Sequence, residues 1–391
     1  MAYRHKSAAR FQAEVEDITR RYGARLLFMA DNIMAMDYYD DFMSWARQRE
    51  LNVDFFYEIK ANVTRKQVKA LREGGCTMVQ PGIESFSTNV LNLMRKGVKA
   101  IQNVAFLKYA RDYGVDPVYN ILCGFPGESS DDYRHMTEQL AKLSHLKPPN
   151  AIMAIQYHRF SPYHRSPESF GIRLRPDPLY RYVYDLPEQE LARIAYHFER
   201  VDDGASSATT YAPSLGKVTL PWFQSYREER CTLTWRAENG DILICDRRHN
   251  YPERDYRLGD HAVHVFRALD VPRTLDGAVR EADRLAQGHT GEPETPSQLV
   301  ALRPRLRVVT PAPLEPATPP WRAAPAEPEL ARSREHRIRF DRDAFVADAK
   351  ACLDWLCNLG LLYFDDDRYL ALPVTENAPN GRMAVWRRAP V

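Results

Sequence analysis

Residues 117–146, PVYNILCGFPGESSDDYRHMTEQLAKLSHL, read as a strand, a tight turn and a helix in immediate succession. The run PVYNILC (117–123) is apolar and strand-like. In GFPGE (124–128), Pro126 presets the first turn angle and Gly127 accepts the positive φ of a type II turn, so the chain reverses tightly. Gly124 removes a side chain where the strand ends, so a flat ligand can approach the backbone. Serines and acids then suit a helix start, and Met136, Leu140 and Leu143 fall on one helical face. GFPGE is not a phosphate loop: no Lys-Ser/Thr follows it, and the G-x-G-x-x-G spacing is absent.

The same rhythm extends in both directions. Strand-like runs occur at ARLLFMA (24–30), VDFFYEI (53–59), TMVQPGI (77–83) and AIMAIQY (151–157). The gaps between them are long enough for helices. Thr64 and Gln67 form a T-x-x-Q capping box, and the glycines of VKALREGG end that helix. Near the amino terminus Phe11, Val15, Ile18 and Tyr22 share one helical face, with Gly23 as the stop. Alternating helices with buried, unalternating strands predict a five-stranded parallel sheet with right-handed crossovers.

Parallel α/β sheets place their sites at the carboxyl ends of the strands. Those ends carry Asp31 and Asn32, then Glu58 and Lys60, then Gln80, Glu84 and Ser85. The fourth carries Gly124, Phe125, Pro126, Gly127 and Glu128, and the fifth Gln156 and His158. Glu58 and Lys60 are two apart, so a continuing strand points both the same way.

Composition excludes several classes. Lys plus Arg total 54 against 52 for Asp plus Glu, which gives no global electrostatic case for nucleic acid or a membrane surface. No apolar run approaches the ~18 residues of a membrane span, and no secretory signal is visible. The six cysteines form no C-x-x-C and no zinc spacing, so they read as reduced thiols of a cytoplasmic protein. Cys352 and Cys357 are five apart on an expected helix and do not share a face. His158 and His164 flank RFSPY without matched partners, and no metal is assigned to them. YHRFSPYH (157–164) reads either as a substrate-side loop or as ordinary loop packing.

The second half differs. VDDGASSATTYAPSLG (201–216) is small, polar and turn-forming, which suits a linker over 201–225. CTLTWRAENGDILICDRR (231–248) is a hairpin about Asn239–Gly240 that brings Cys245 near Thr234. GDHAVHVFRALD reads as a short helix with Val263 and Phe266 inward. Residues 285–335 form a proline-rich insert. A helix through Phe345, Ala349, Leu353 and Leu356 and a closing hairpin follow. Residues 226–284 and 336–378 together predict a small winged-helix-like α+β module. RSREHRIRF (332–340) is either an attraction for an acidic peptide or a solvated linker end.

MVQPGIESFSTNVLNLMRKGV (78–98) with YNILCGFPGES (119–129) resembles the radical SAM superfamily, in its cobalamin-associated branch. MAYRHKSAARF, FYEIKANV, QPGIESFST, NILCGFPGE and RFSPYH, in that order, resemble the RiPP (bacteriocin) maturation radical SAM protein 1 type, over residues 1 to about 200. The resemblance implies an incomplete (β/α)6 barrel with SAM across the strand ends. Glu84 and Ser85 would lie near the ribose and amino-acid part of SAM. The segment ILCGFPGE would border the adenine. Asp31 and Asn32 take the place of the motif that meets the SAM amino group, and Glu58, Lys60 and Gln80 join as cofactor contacts.

The family also implies a 4Fe–4S cluster on a Cys-x3-Cys-x2-Cys loop, and a cobalamin-binding domain. This chain contains neither, so the expectation is a protein lacking its amino-terminal part, with Met1 internal to a longer one. No cysteine is assigned as a cluster ligand. The second module resembles leader-peptide recognition elements, which bind an extended leader as an added strand. The expected function is maturation of a ribosomally made precursor peptide, with C-methylation as the candidate reaction. The alternatives are a catalytically inactive leader-binding escort and an unrelated (β/α) enzyme. The acidic Asp365–Asp367 run and the near-neutral charge argue against nucleic acid.

Overall fold

The computed structural model describes residues 4–201, 208–288 and 335–376, with only the backbone of 208–210 and 212. Helix α1 (Ala8–Tyr22) is capped by the Ser7 side chain and closed by Gly23 at φ 61°. Its expected apolar stripe is only half used. Phe11 stacks on Tyr38 and packs on Phe42, and Val15 is buried, but Ile18 and Tyr22 are exposed.

Then follow β1 (Leu26–Phe28), α2 (Phe42–Gln48), β2 (Asp54–Ile59), α3 (Arg65–Glu73), β3 (Met78–Pro81), α4 (Thr88–Leu93) and α5 (Ala100–Tyr113). The Thr64–Gln67 capping box is formed. Next come β4 (Asp116–Pro117), β5 (Asn120–Cys123), α6 (Ser130–Leu140) and β6 (Ala151–Ala154). Strands β1 to β4 pair in parallel and in sequence order, and β5 pairs in parallel with β6. A parallel bridge between Glu84 and Ile121 joins the two sheets. The parallel α/β architecture expected from the sequence is therefore present.

Three details differ from the expectation. The run 117–123 is two short strands: Pro117 has no N–H for the ladder, and Tyr119 exchanges hydrogen bonds with Asn150 instead. Strand β2 alternates, with Phe55, Tyr57 and Ile59 buried and Phe56 and Glu58 half-buried. Strand β6 is largely exposed, and it ends at Ala154 rather than continuing to 157.

A three-stranded antiparallel sheet comes next. It contains β7 (Tyr157–His158), β8 (Leu174–Pro176) and β9 (His197–Arg200), with the short helices α7 (Pro162–Arg165), α8 (Tyr180–Val183) and α9 (Glu188–Ile194) between its strands. YHRFSPYH thus forms β7 and α7.

The linker reading is corrected over 208–225, which lie in helix α10 (Ala208–Arg227); residues 202–207 fall outside the described residues. Tyr211, Leu215, Val218 and Trp222 recur at helical spacing, a stripe that the small polar composition around them hides. Tyr211 stacks on Tyr133 of α6, and the buried Trp222 indole donates to the Leu146 carbonyl at 2.8 Å.

The second unit opens with β10 (Leu233–Glu238), β11 (Asp241–Asp246) and β12 (Arg254–Asp260), an antiparallel meander. Asn239 and Gly240 both hold positive φ, and Thr234 pairs with Cys245 in the expected register. Helix α11 (His261–Ala268) buries Val263 and Phe266, and β13 (Arg273–Thr274) and α12 (Leu275–Ala286) follow. Most of the expected insert, 289–334, lies outside the described residues.

The chain resumes with β14 (Glu335–Phe340), α13 (Arg342–Ala347), α14 (Ala349–Asn358), β15 (Leu362–Asp365), β16 (Arg368–Ala371) and β17 (Val374–Thr375). The expected single helix breaks at Asp348, whose carboxylate caps α14 through the Ala351 N–H. Residues 335–340 are strand rather than linker end. They pair in parallel with β12, and β17 pairs with β10 at the other edge. Strands β13, β16 and β15 make a separate small sheet.

This unit is fastened to the barrel. Lys108 of α5, fully buried, contacts Asp270, and Asp112 accepts from the Thr375 N–H at 2.9 Å. The buried Asp246–Arg248 pair reaches the Lys142 and Gly360 carbonyls. Among the described residues no helix is long and apolar enough to cross a membrane.

Candidate functional site

A cavity of about 580 Å³ opens at the carboxyl ends of β1, β2 and β3. Glu58 and Gln80 are register partners on adjacent parallel strands, so their side chains stand side by side. Lys60, two residues beyond Glu58, lines the same cavity. Asn32 enters from the loop after β1, and Glu84 from the turn after β3.

That turn is strained. Glu84 holds φ 56°, in the left-handed region, and the Ser85 N–H folds back to the Ile83 carbonyl at 2.6 Å. The Glu84 carboxylate accepts from Lys96 at 3.1 Å. Two carboxylates and three cations (Lys60, Arg95 and Lys96) therefore surround the space. With Glu84 and Lys96 paired, one acid, Glu58, and two cations, Lys60 and Arg95, are left, a set that suits a ligand carrying both ammonium and carboxylate.

Five of the expected residues thus line one cavity: Asn32, Glu58, Lys60, Gln80 and Glu84. Asp31 stands beside it, its carboxylate accepting from the Tyr57 hydroxyl at 2.6 Å. Ser85 is fully buried and does not line it; its Oγ accepts from the Ser87 N–H at 3.1 Å. The GFPGE turn also lies outside the lining. It has the expected form, with Gly127 at φ 88° and the Glu128 N–H bonded to the Phe125 carbonyl. The Glu128 carboxylate, however, faces its own turn, accepting from the Gly124 N–H at 2.8 Å, the Phe125 N–H at 2.9 Å and the Tyr133 hydroxyl at 2.7 Å. Desolvation raises the Glu128 carboxyl above its ordinary value against those three donors. Phe125 is buried, and Pro126 is the turn's first corner. A side chain at Gly124, at φ 99°, would meet open space, so the positive φ is what calls for glycine there.

Asn62, Arg95, Lys96, Tyr119 and Asn120 line the cavity without having been singled out in the sequence. Asn120 had a visible signal, as the one polar residue within the run VYNILC. Asn62 is shared with a second cavity of about 490 Å³, lined also by Arg65, Lys99, Val271, Pro272 and Arg368. The last three belong to the second unit, so that unit walls the adjoining cavity.

The cysteines do not fit an iron–sulfur cluster. All six are free thiols: Cys76 on the α3–β3 connection, Cys123 in β5, Cys231 just before β10, Cys245 in β11, and Cys352 and Cys357 in α14. Cluster ligands are thiolates, and burial opposes that form, pushing Cys123 up to about 11 and Cys357 up to about 12. Among the described residues no group of three His, Cys, Asp or Glu could hold a metal ion. His158 instead stacks on Tyr196.

Residues 2–140 match the family model of the Radical SAM superfamily. This part of the chain is a radical SAM domain. An uncharacterized methyltransferase of Pyrococcus horikoshii is 26% identical over 133 residues, covering 33% of this chain and 29% of that protein. The chain thus spans less than a third of that relative's length. Among solved structures, the radical S-adenosylmethionine methyltransferase TsrM from Kitasatospora setae, with tryptophan substrate and a SAM analogue bound, is similar at a TM-score of 0.44 and 12% identity, over 57% of this chain and 47% of that one. The cobalamin-dependent S-adenosylmethionine radical enzyme OxsB, with aqua-cobalamin and SAM bound, is similar at 0.32 and 15% identity, over 54% and 28%. The cavity described above is lined from residues within the radical SAM domain.

Proposed function

We propose that this chain forms the SAM-facing wall of a radical SAM enzyme that modifies a ribosomally made peptide, with cobalamin-dependent C-methylation as the reaction. The observation that carries the reading is the meeting of Glu58, Lys60, Gln80 and Glu84 in one cavity at the strand ends of a radical SAM domain. Its volume falls within the range of small-molecule sites. Lys60 would pair with the SAM carboxylate. Glu58 and Glu84 would accept from its ammonium or ribose hydroxyls, and Gln80 and Asn120 would order its polar edges. When bound with a reduced cluster, SAM supplies radical chemistry. The cysteines of this chain do not hold that cluster, and no described residue is assigned to cobalamin. What these residues do is bind and orient the ligand.

The peptide side of the reading rests on the second unit. An added strand was the expected mode of leader binding, and the β12 edge is closed to it, because β14 pairs there in parallel, from Glu335 opposite Asp255 to Phe340 opposite Asp260. Among the described residues β14 pairs on one side only. An extended leader would add beside β14, where Arg337 and Arg339 are exposed and favour acidic residues.

Calorimetric titration of this chain with SAM tests the first part. Saturable binding that falls about tenfold or more in Glu58→Ala and Lys60→Ala is expected. Binding unchanged by both would reject the site. For the second part, the precursor leader is titrated by fluorescence anisotropy against the parent and an Arg337→Glu, Arg339→Glu variant. Equal affinities would reject the β14 edge.

A further inference from the structure

Asn103 sits in α5, in the otherwise apolar run NVAFL, and is completely buried. Its amide nitrogen donates to the Ile83 carbonyl at 2.9 Å and to the Ser85 carbonyl at 2.8 Å. These are the two carbonyls that flank Glu84. Its amide oxygen has no hydrogen-bond partner. Only the donor half of the side chain is therefore used. A buried, unsatisfied amide oxygen is unfavourable, and a leucine of similar volume would avoid it. Something other than packing must be served by the amide.

What it serves is next to it. Glu84 carries a Cβ and yet holds a left-handed backbone, a conformation that persists only where the surroundings impose it. The Glu84 carbonyl is fixed from one side by the Leu122 N–H of β5 at 2.8 Å. The flanking carbonyls are fixed from the other side by Asn103. Three hydrogen bonds from two elements thus hold one strained residue whose carboxylate faces the cavity.

We infer that Asn103 is a positioning residue: its amide holds the Glu84 turn in its strained form and so aims the Glu84 carboxylate into the site. The geometric claim stands without any ligand. Its consequence for SAM rests on the reading under Proposed function.

A double-mutant cycle followed by thermal unfolding tests the geometric claim. Glycine adopts the Glu84 backbone without strain, so in the Glu84→Gly background the clamp has little left to hold. Asn103→Leu is expected to lower Tm by several degrees in the parent and by less than half as much in the Glu84→Gly background. Equal lowering in both backgrounds overturns the inference, because a residue that only packs would behave that way. If Asn103→Leu fails to fold, Asn103→Ser goes through the same cycle with the same criterion. SAM titration then reads the consequence: Asn103→Leu, folded by circular dichroism, is expected to lose about tenfold in affinity. Unchanged affinity overturns the positioning role. A parent chain that binds no SAM counts against the proposed function alone, and the cycle then decides this inference.

Discussion

The Lys96 ammonium reaches the Glu84 carboxylate at 3.1 Å through space that Gly82 leaves open. A Cβ placed on Gly82 would stand 3.0 Å from the Lys96 nitrogen. The obstructed atom is the far end of a flexible side chain, so it moves aside at small cost to folding. Gly82→Ala is therefore expected to change stability by less than about 0.5 kcal/mol. It should nonetheless weaken SAM binding several-fold, because the carboxylate loses the cation that orients it. Thermal unfolding and calorimetry on the same preparation check both halves. A large fall in Tm without a change in affinity would contradict the argument.

The contact between Lys108 and Asp270 joins the barrel to the second unit. Lys108 is 1% exposed and Asp270 36%, and Arg65 also contacts Asp270. Removing one partner of a buried pair costs about 3–5 kcal/mol. The exposure of Asp270, and the Asp112 carboxylate that Lys108 keeps at 3.8 Å, reduce that to about 2 kcal/mol for Asp270→Asn. Burial works against the Asp270 carboxylate, but Lys108 and Arg65 outweigh it and hold its carboxyl below the ordinary 3.8. The stabilisation is then fully present above that ordinary value, and it is lost as pH falls through the lower folded value. Urea unfolding should show the parent losing its advantage over Asp270→Asn only on strong acidification. An advantage that disappears by pH 6 would point to another group.

Local chemistry made much of this fold legible. The Thr64–Gln67 box, the Asn239–Gly240 turn and the Gly127 corner each depend on residues within a few positions of one another. The placement of Glu58 follows from strand periodicity, whereas Lys60 lies one residue past the end of β2 and reaches the same cavity from the connection that follows. Glu128 shows the limit: an acid at a strand end reads as a ligand group, but two backbone N–H groups of its own turn and a tyrosine hydroxyl claim it. Helix α10 was hidden because Pro213, Pro221 and a polar lead-in outweigh the stripe that ends at Trp222. Lys96 meets Glu84 from 12 residues away, Asn103 meets the Ser85 carbonyl from 18, and Lys108 meets Asp270 from 162. No periodicity reports such contacts; only the assembled sheets and their docked unit create them.

His145 links the end of the barrel's α6 region to the closing segment of the second unit. It is fully buried, and its Nε2–H donates to the Leu372 carbonyl at 3.1 Å, while Nδ1 has no partner. Desolvation, and after it the nearby Arg248, hold its pKa well below the ordinary 6.5. The folded state therefore keeps the ring neutral, while the unfolded chain takes up a proton below pH 6.5. Stability is full above that value and declines as pH falls, by up to about 1.4 kcal/mol per unit from this one group. His249, His261, His264 and His336 shift in the same direction through burial. His145→Gln should accordingly flatten the decline between pH 6.5 and 5 without abolishing it. An unchanged slope in chemical denaturation across that range would remove His145 from the account.

Asp365 shows how the second unit completes the barrel. Helix α5 begins after Lys99, whose short-range surroundings supply no acidic cap. The Ala100 N–H is taken instead by the Thr88 hydroxyl oxygen at 2.9 Å, and the Ile101 N–H by the Asp365 carboxylate at 3.3 Å. The Thr88 hydroxyl in turn donates to Asp365 at 2.7 Å. A carboxylate from the tip of the β15–β16 hairpin thus caps a barrel helix from 264 residues away. Its neighbour Asp366 contacts Lys99. The acidic run at 365–367, which as sequence argued only against nucleic acid, is therefore a dock. Loss of a cap costs about 0.5–2 kcal/mol, so Asp365→Ala is expected to destabilise by about 1–2 kcal/mol. Because Arg368 and Lys99 line the adjoining cavity, amide exchange should quicken in the first turn of α5 and in the hairpin together. Faster exchange in the hairpin alone would mean that Asp365 stabilises its own turn and does not fasten the two units.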